Sequence, residues 1–136
     1  MTDFPIRHVV PGDAEFPTVL HELPQPPPQL FVAGASLTSL LTAPAVAIVG
    51  TRKVTPYGRQ ITERLAGELA ALGITIISGL ALGVDGLAHE ASLAAGGRCL
   101  AILPSPIEAI VPRRHRQLAA RILAQGWALV SEYGAD

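Results

Sequence analysis

The sequence predicts an α/β protein built on an open, Rossmann-like parallel sheet flanked by helices, with a proline-rich lead-in before it. Short apolar segments alternate with helix-length segments from residue 45 onward, a pattern typical of parallel strands joined by helices. Two of the apolar segments break into glycine where a helix is about to begin. Apolar residues make up 49% of the chain and charged residues 15%, which suits strands that are buried on both faces.

The chain has 136 residues, enough to bury a core without disulfides or a structural metal. We expect a proline-rich segment over residues 1–44 and a Rossmann-like domain over residues 45–136. The longest apolar runs are too short to cross a bilayer, and the N-terminus lacks the pattern of a secretory signal. The single cysteine, Cys99, lies among apolar residues and is expected in the core. These features predict a cytoplasmic protein that does not bind membranes.

The proline-rich segment is expected to be extended rather than helical. Four of the five residues from 24 to 28 are prolines, which lack the amide hydrogen that a helix interior needs. After them, residues 30–34 are apolar and predict an edge strand, and residues 36–41 predict a short helical turn.

From residue 45 the pattern predicts four strands and three helices. Strands are expected near residues 46–50, 74–78, 98–103 and 127–131, and helices near residues 57–72, 85–95 and 113–125. Four parallel strands leave an unpaired edge, which we expect near Ile102, Leu103 and Val130. Burial of this edge between two copies predicts a homodimer.

The first of these helices has clear boundary signals. Thr55 can cap its N-terminus, Pro56 suits its first position, and Gly73 ends it. We expect the helix to bury one stripe of apolar side chains, Ile61, Leu65, Leu69 and Leu72.

The first glycine break, Gly50-Thr51-Arg52, predicts an anion site. It lies where a strand ends and a helix begins, so free helix amides and the Arg52 guanidinium would face the same ligand. A surface arginine after an ordinary tight turn is the alternative. The spacing matches neither a nucleotide P-loop nor the dinucleotide motif G-x-G-x-x-G, so triphosphate hydrolysis and NAD chemistry lose support.

The second glycine break follows the next strand and contains Gly79, Leu80 and Gly83. Gly79 would let a ligand approach the backbone closely. Asp85 can cap the following helix, and His89, one turn later, can pair with it. Because no nucleophile lies beside this pair, we interpret it as structural rather than catalytic.

Positive charge is concentrated in the segment that carries these motifs. Residues 52–121 hold nine Lys and Arg against five Asp and Glu, although the whole chain has a net charge of −1. Arg113 and Arg114 lie at the start of the predicted third helix, where the helix dipole disfavours cations, so nearby phosphates would explain them. A solvated basic face is the alternative. Tyr57 and Trp127 could stack on bases, but packing is the expected role of both.

Metal and catalytic chemistry receive little support. The four histidines are scattered without ligand-like spacing, and there is one cysteine. We predict no catalytic residue, no metal and no cofactor.

Taken in order, these motifs resemble the DprA/Smf family. The matching segments are Val46-Ala-Ile-Val-Gly-Thr-Arg52, Thr55-Pro-Tyr-Gly58, Ser78-Gly-Leu-Ala-Leu-Gly-Val-Asp85, Ala88-His89, Gly96-Gly97, Pro112-Arg-Arg-His115 and Ser131-Glu-Tyr133. The resemblance implies an extended Rossmann-like fold, usually dimeric. It implies a protein that binds single-stranded DNA without cutting it, protects it and helps to load RecA during DNA uptake and transformation.

The resemblance also implies roles for particular residues. Arg52 would be the chief phosphate contact, Gly79-Leu80 would line the groove, and Arg113 or Arg114 would be a second anchor. The complete predicted DNA and phosphate site is Gly50, Thr51, Arg52, Tyr57, Gly58, Gly79, Leu80, Arg113 and Arg114.

Two departures from the family pattern leave other functions open. Pro104-Ser105-Pro106 stands where the family usually has Gly-x-Gly, and the chain ends at Asp136, before the family's Phe-Pro-x-Arg-Asn-Arg segment. We therefore expect a truncated member, a fragment or a short paralogue. The alternatives are a nucleotide-binding sensor, a LOG-type phosphoribohydrolase relative or a partner-binding fragment. The LOG-type motif is not found, because Gly96-Gly97 is followed by Arg98-Cys99.

Overall fold

The computed structural model describes residues 4–135, which form a six-stranded mixed sheet with the strand order β1-β2-β6-β5-β4-β3. The strands are β1 (Ile6–Val9), β2 (Leu30–Gly34), β3 (Ala45–Ala47), β4 (Thr75–Ser78), β5 (Cys99–Leu103) and β6 (Ala128–Ser131). The α-helices are α1 (Leu37–Leu41), α2 (Pro56–Ala71), α3 (Val84–Ala94) and α4 (Arg116–Ala124). Two 3₁₀ turns cover Thr18–Glu22 and Arg113–His115.

Strands β3 to β6 are parallel and lie in chain order, which confirms the predicted α/β class. Consecutive right-handed crossovers place their three connecting helices on one face of the sheet. The strand predicted near residues 46–50 is shorter than expected, because only Ala45–Ala47 pair as β3. The helix predicted near residues 113–125 begins later than expected, because residues 113–115 form a 3₁₀ turn before α4.

The N-terminal segment completes the sheet, which is therefore mixed rather than wholly parallel. Strand β1 pairs antiparallel with β2, and β2 pairs antiparallel with β6, where Val32 lies opposite Val130. The prediction of an edge strand at 30–34 is wrong, since β2 lies between two partners. The predicted unpaired edge is wrong for the same reason. Leu103 and Val130 are buried, and Ile102 is half-exposed. The division at residue 44 stays a prediction.

The Arg7 side chain links β1 to the end of β2 through hydrogen bonds. Its guanidinium donates hydrogen bonds to both carboxylate oxygens of Glu15, at 3.0 and 2.7 Å. It also donates to the carbonyl oxygens of Gly34 at 2.9 Å and Ala35 at 3.1 Å. The hydrogen bonds from Arg7 and from the Leu37 amide lower the pKa of Glu15, although its partial burial opposes them. This partly buried cluster fixes the N-terminal strands against the start of α1.

The two faces of the sheet carry separate apolar cores. On one face, buried side chains of α4 pack against alternate residues of β5 and β6, such as Ala101 and Leu129. On the other face, α1 and the N-terminal segment pack against Leu100 and Val130. The alternation of strand side chains between faces explains why neighbouring strand residues belong to different cores.

Helix α2 buries a different face from the one predicted. Its buried residues are Thr62, Ala66 and Ala70, whereas the predicted stripe is largely in solvent: Leu69 is partly buried, and Ile61, Leu65 and Leu72 are 40%, 48% and 77% exposed. The helix lies beside α3, and Ala66 and Ala70 form a small core with Ala88. Close approach of two helices selects small residues, so the long apolar side chains are left outside.

None of the helices in residues 4–135 is long and apolar enough to cross a membrane. The longest, α2, has 16 residues and carries four charged side chains. About 20 apolar residues are needed to span a bilayer.

Candidate functional site

The two glycine breaks meet at the carboxyl end of the parallel strands. The carbonyl oxygen of Thr51 accepts a hydrogen bond from the Val84 amide at 3.1 Å, which joins the first break to the start of α3. Gly83 has a φ of +82°, and a side chain at this position would overlap the Thr51 carbonyl oxygen. Glycine is therefore required for the two turns to approach so closely.

Asp85 holds both turns through one buried carboxylate. Its Oδ2 accepts a hydrogen bond from the Gly79 amide at 3.0 Å, and its Oδ1 accepts one from the Gly50 amide at 3.4 Å. The amides of Gly50 and Gly79 are therefore occupied within the protein. The prediction that Asp85 caps α3 also needs correction, since Gly83 is the N-cap residue and Asp85 lies in the first turn.

The start of α2 is capped as predicted. Thr55 Oγ1 accepts a hydrogen bond from the Gly58 amide at 3.0 Å, and the Thr55 carbonyl oxygen accepts one from the Arg59 amide at 2.9 Å. These two amides are consequently occupied. Recognition of an anion at this edge falls mainly to side chains.

Three arginines line one open cleft beside the two turns. Arg52 follows β3, Arg59 projects from the first turns of α2, and Arg114 belongs to the 3₁₀ turn before α4. The cleft has a volume of about 320 Å³, and its lining also includes Gly83 and Gly86. The sequence-predicted residues Arg52 and Arg114, 62 positions apart, are thus brought together.

The positive charge of the cleft is largely uncompensated. Within residues 4–135, no carboxylate forms an ion pair with Arg52 or Arg114, and Arg59 Nη1 is 3.9 Å from Glu63 Oε2. Glu90 is the acidic residue in the cleft lining, and it pairs with Arg121 at 2.6 Å. Guanidinium groups without protein partners are well suited to fork onto phosphate oxygens.

The Gly79-Leu80 turn supports the site rather than presenting a side chain to it. The Leu80 side chain is fully buried, and its φ of 61° lies in the left-handed region. Its amide donates to His89 Nε2 at 3.2 Å, and its carbonyl oxygen accepts from His115 Nδ1 at 2.6 Å. The role of Leu80 in lining a groove stays a prediction, but its side chain does not reach the surface.

Three other predicted site residues, Thr51, Tyr57 and Arg113, are not in the lining of the cleft. Tyr57 is 72% exposed on the first turn of α2, so the expectation that it packs is wrong. Thr51 Oγ1 accepts from the Lys53 amide at 3.1 Å, and Arg113 is exposed. Trp127, which was expected to pack, does so against both cores.

His89 and Asp85 both have structural partners, as interpreted from the sequence, but each binds other groups and they do not form the expected hydrogen-bonded pair. Whereas Asp85 binds the glycine amides, His89 Nδ1 contacts Cys99 Sγ at 2.9 Å in the core. Burial lowers the pKa of His89 to about 4 and raises the pKa of the Cys99 thiol to about 12. Both groups are therefore neutral near pH 7. Within residues 4–135, no three His, Cys, Asp or Glu side chains lie close enough together to hold a metal ion.

Arg59 and His115 were not predicted as site residues. Arg59 could have been found from its place in the first turns of the helix that follows Gly50-Thr51-Arg52, because those turns adjoin the same sheet edge. His115 was visible only as part of a basic cluster. Its hydrogen bond to a backbone carbonyl 35 positions away has no local sequence signal.

Comparisons with known proteins identify the family of the chain. The model of the DNA recombination-mediator protein A family matches residues 7–136. The chain belongs to this family. Protein Smf of Escherichia coli K12 is 42% identical over 133 residues, which cover 97% of this chain and 35% of that protein. DNA processing protein DprA of Bacillus subtilis is 38% identical over 119 residues, covering 88% of this chain and 39% of that protein.

Solved structures of family members have the same fold. DNA processing protein A from Helicobacter pylori, described for its single-stranded DNA binding mode, matches with a TM-score of 0.83 and 36% identity. The match covers 98% of this chain and 58% of that one. DprA from Streptococcus pneumoniae matches with a TM-score of 0.81 and 31% identity, covering 98% of this chain and 45% of that one. By comparison with the full-length relatives, the chain spans 35% of the Escherichia coli protein and 39% of the Bacillus subtilis protein.

Proposed function

We propose that this chain binds single-stranded DNA through the cleft lined by Arg52, Arg59 and Arg114. The observation that carries the proposal is the convergence of these three guanidinium groups on one open surface, two of them without an ion-pair partner among the described residues. A backbone phosphate carries the charge and the oxygen geometry that such a cleft complements. The Helicobacter pylori relative, described for single-stranded DNA binding, supports the same ligand.

The exposed ring of Tyr57 supports a single strand over a duplex. It stands on the first turn of α2, the helix that also carries Arg59, and is 72% exposed. Unpaired bases can stack on an aromatic side chain, whereas bases inside a duplex cannot. We propose that Tyr57 contacts a base while the arginines hold the backbone.

We propose binding without catalysis. The buried groups of the site, Asp85 and His89, are committed to backbone amides, so neither is placed as a general base toward the cleft. An oligonucleotide incubated with the chain should therefore remain intact. The LOG-type and nucleotide-sensor alternatives predict instead that nucleoside monophosphates compete with DNA at equal phosphate concentration.

The chain covers only part of the length of its relatives, so its wider role is a proposal that rests on the family. We propose that it acts in the cytoplasm, protects single strands during DNA uptake and assists RecA loading. Protection of an oligonucleotide from an added nuclease, and faster RecA assembly on coated DNA, are the expected outcomes.

The salt dependence of binding tests the proposed function. Each phosphate contact on a single strand contributes about −0.7 to the slope of log K against log salt concentration. With about two to four contacts available to the cleft, we expect a slope of about −1.5 to −3 for a fluorescein-labelled oligothymidine measured by fluorescence anisotropy. Absence of binding at low salt, or a slope near zero, would contradict the proposal.

We also propose that two copies associate as a homodimer. The support is the exposed apolar stripe of α2, formed by Ile61, Leu65 and Leu72, since exposed apolar side chains at helical spacing favour association. The ion pairs Arg59–Glu63 and Arg64–Glu68 leave the helix without a large excess of one charge. Light scattering after size exclusion should give a dimer mass that falls on dilution, and Leu65→Gln should shift the chain to monomer. A wild-type monomer at high concentration would contradict this.

A further inference from the structure

The conformation of Leu80 is held from two sides by imidazole rings. A non-glycine residue in the left-handed region is disfavoured by about 1–2 kcal/mol, so its surroundings must maintain it. The Leu80 amide donates to His89 Nε2 at 3.2 Å, and its carbonyl oxygen accepts from His115 Nδ1 at 2.6 Å. Two histidines on different elements therefore hold the backbone of Leu80, in the second glycine break, in its left-handed conformation.

The His89 side of this arrangement belongs to the core. Because the Leu80 amide is a donor, His89 Nε2 is the acceptor, and Nδ1 carries the proton toward Cys99 Sγ at 2.9 Å. His89 and Cys99 are fully buried. This half of the arrangement is a rigid support for Leu80 and does not reach the cleft.

The His115 side belongs to the cleft. His115 lies directly after Arg114 in the 3₁₀ turn, and both residues line the cleft. Its ring packs on Gly86 of α3, where an added Cβ would lie 2.7 Å from His115 Cε1. The ring can therefore reach the Leu80 carbonyl only because residue 86 has no side chain.

We propose that His115 is a positioning residue for DNA binding, whose hydrogen bond to the Leu80 carbonyl holds Arg114 across the cleft from Arg52. The proposal rests on the proposed function of the cleft. An exposed arginine on a short 3₁₀ turn would otherwise have to be ordered when DNA binds, at a cost in affinity. The hydrogen bond to a rigid turn orders it beforehand.

Substitution of His115 tests the proposal. His115→Leu should weaken binding of labelled oligothymidine about tenfold, the effect expected of losing one charge-assisted contact. It should also make the salt slope less steep by about 0.7, the change expected for Arg114→Ala, because an Arg114 that is no longer held in place loses its phosphate contact. His115→Asn keeps a donor at the same place and should restore affinity to within about threefold of the wild type. A structural role alone would lower the melting temperature without changing the salt slope, and that result would overturn the proposal.

A double-mutant cycle separates positioning from a direct contact. If His115 acts through Arg114, the variant carrying Arg114→Ala and His115→Leu should bind no more weakly than Arg114→Ala alone. Additive losses would overturn the proposal. Absence of binding by the wild-type chain would overturn the proposed function and this role with it. If the wild-type chain binds DNA, and Arg114→Ala loses binding while His115→Leu keeps it, the positioning role of His115 alone is overturned.

Gly86→Ala provides a second variant that leaves His115 in the sequence. Alanine is favoured over glycine within a helix by about 1 kcal/mol, so helix α3 itself should tolerate the change. The added Cβ would displace the His115 ring from its seat, and we expect about tenfold weaker DNA binding without a fall in secondary structure. Wild-type affinity in Gly86→Ala would overturn the proposal.

Discussion

At the scale of single residues, Asp85 and the arginines have opposite tasks at the same sheet edge. The Asp85 carboxylate is buried and accepts hydrogen bonds from the amides of Gly50 and Gly79. It thereby supplies internally the anion that these amides would otherwise attract. Arg52 and Arg114 make no ion pair among the described residues, so they are the groups left for an external phosphate.

The buried His89 predicts a loss of stability at mildly acidic pH. Burial lowers its pKa from 6.5 to about 4, although Asp85 opposes the shift. The unfolded chain binds a proton below about pH 6.5 and the folded chain does not, so stability falls as the pH drops from 6.5 to 4. The contribution of this one group is at most about 3 kcal/mol.

Urea unfolding between pH 7.5 and 4 measures this effect. His89→Gln, which keeps an acceptor for the Leu80 amide, should lower stability at pH 7 but flatten its dependence on pH. His21→Gln, at an exposed position in a 3₁₀ turn, is the matched control and should retain the wild-type profile. Identical pH profiles for the wild type and His89→Gln would contradict the claim that buried His89 causes the loss of stability at acidic pH.

At the scale of secondary-structure elements, β2 is the strand that joins the N-terminal segment to the parallel sheet. It is hydrogen-bonded on both sides, to β1 and to β6, and its side chains enter both cores. The Arg7 guanidinium holds the end of this strand through the carbonyl oxygens of Gly34 and Ala35. The N-terminal segment is therefore part of the fold that carries the cleft.

Gly34 at the end of β2 offers a test of this junction. Its φ is +91°, and an added Cβ would overlap the Trp127 carbonyl oxygen, whereas Gly12 has a φ of +102° and open space around it. Gly12→Ala should cost about 1–2 kcal/mol for its backbone conformation alone. Gly34→Ala should cost a further 1–3 kcal/mol or so, because the backbone of β6 must move. Urea unfolding followed by circular dichroism measures both, and equal losses would contradict the described packing.

At the scale of the whole molecule, the sequence predicted the α/β class, the four parallel strands and the start and end of α2. These features depend on local signals such as Thr55, Pro56 and the alternation of apolar segments. The buried face of α2 was not predictable in the same way, since Ala66 and Ala70 are chosen by the closeness of α3 and not by hydrophobicity. The pairing of β2 with β6 joins segments about 100 residues apart and has no local signal.

The candidate site was predictable in part for the same reason. The glycine breaks and arginines are local features, so Arg52 and Arg114 were found from the sequence. The occupied amides of Gly50 and Gly79 depend on Asp85, which reaches Gly50 across 35 positions. The convergence of Arg59 on the cleft likewise depends on how α2 packs in three dimensions.

The most direct test of the central claim compares Arg52→Ala with Arg64→Ala in an anisotropy titration of labelled oligothymidine. Both variants lose one positive charge, but Arg52 lines the cleft, whereas Arg64 pairs with Glu68 on the exposed surface of α2. A well-formed charge-assisted contact is worth about 1.5–3 kcal/mol, and an exposed ion pair about 0–1 kcal/mol. We predict that Arg52→Ala weakens binding about tenfold or more, and that Arg64→Ala changes it about twofold or less. Equal effects of the two substitutions would contradict a defined phosphate site and leave only diffuse attraction by basic residues.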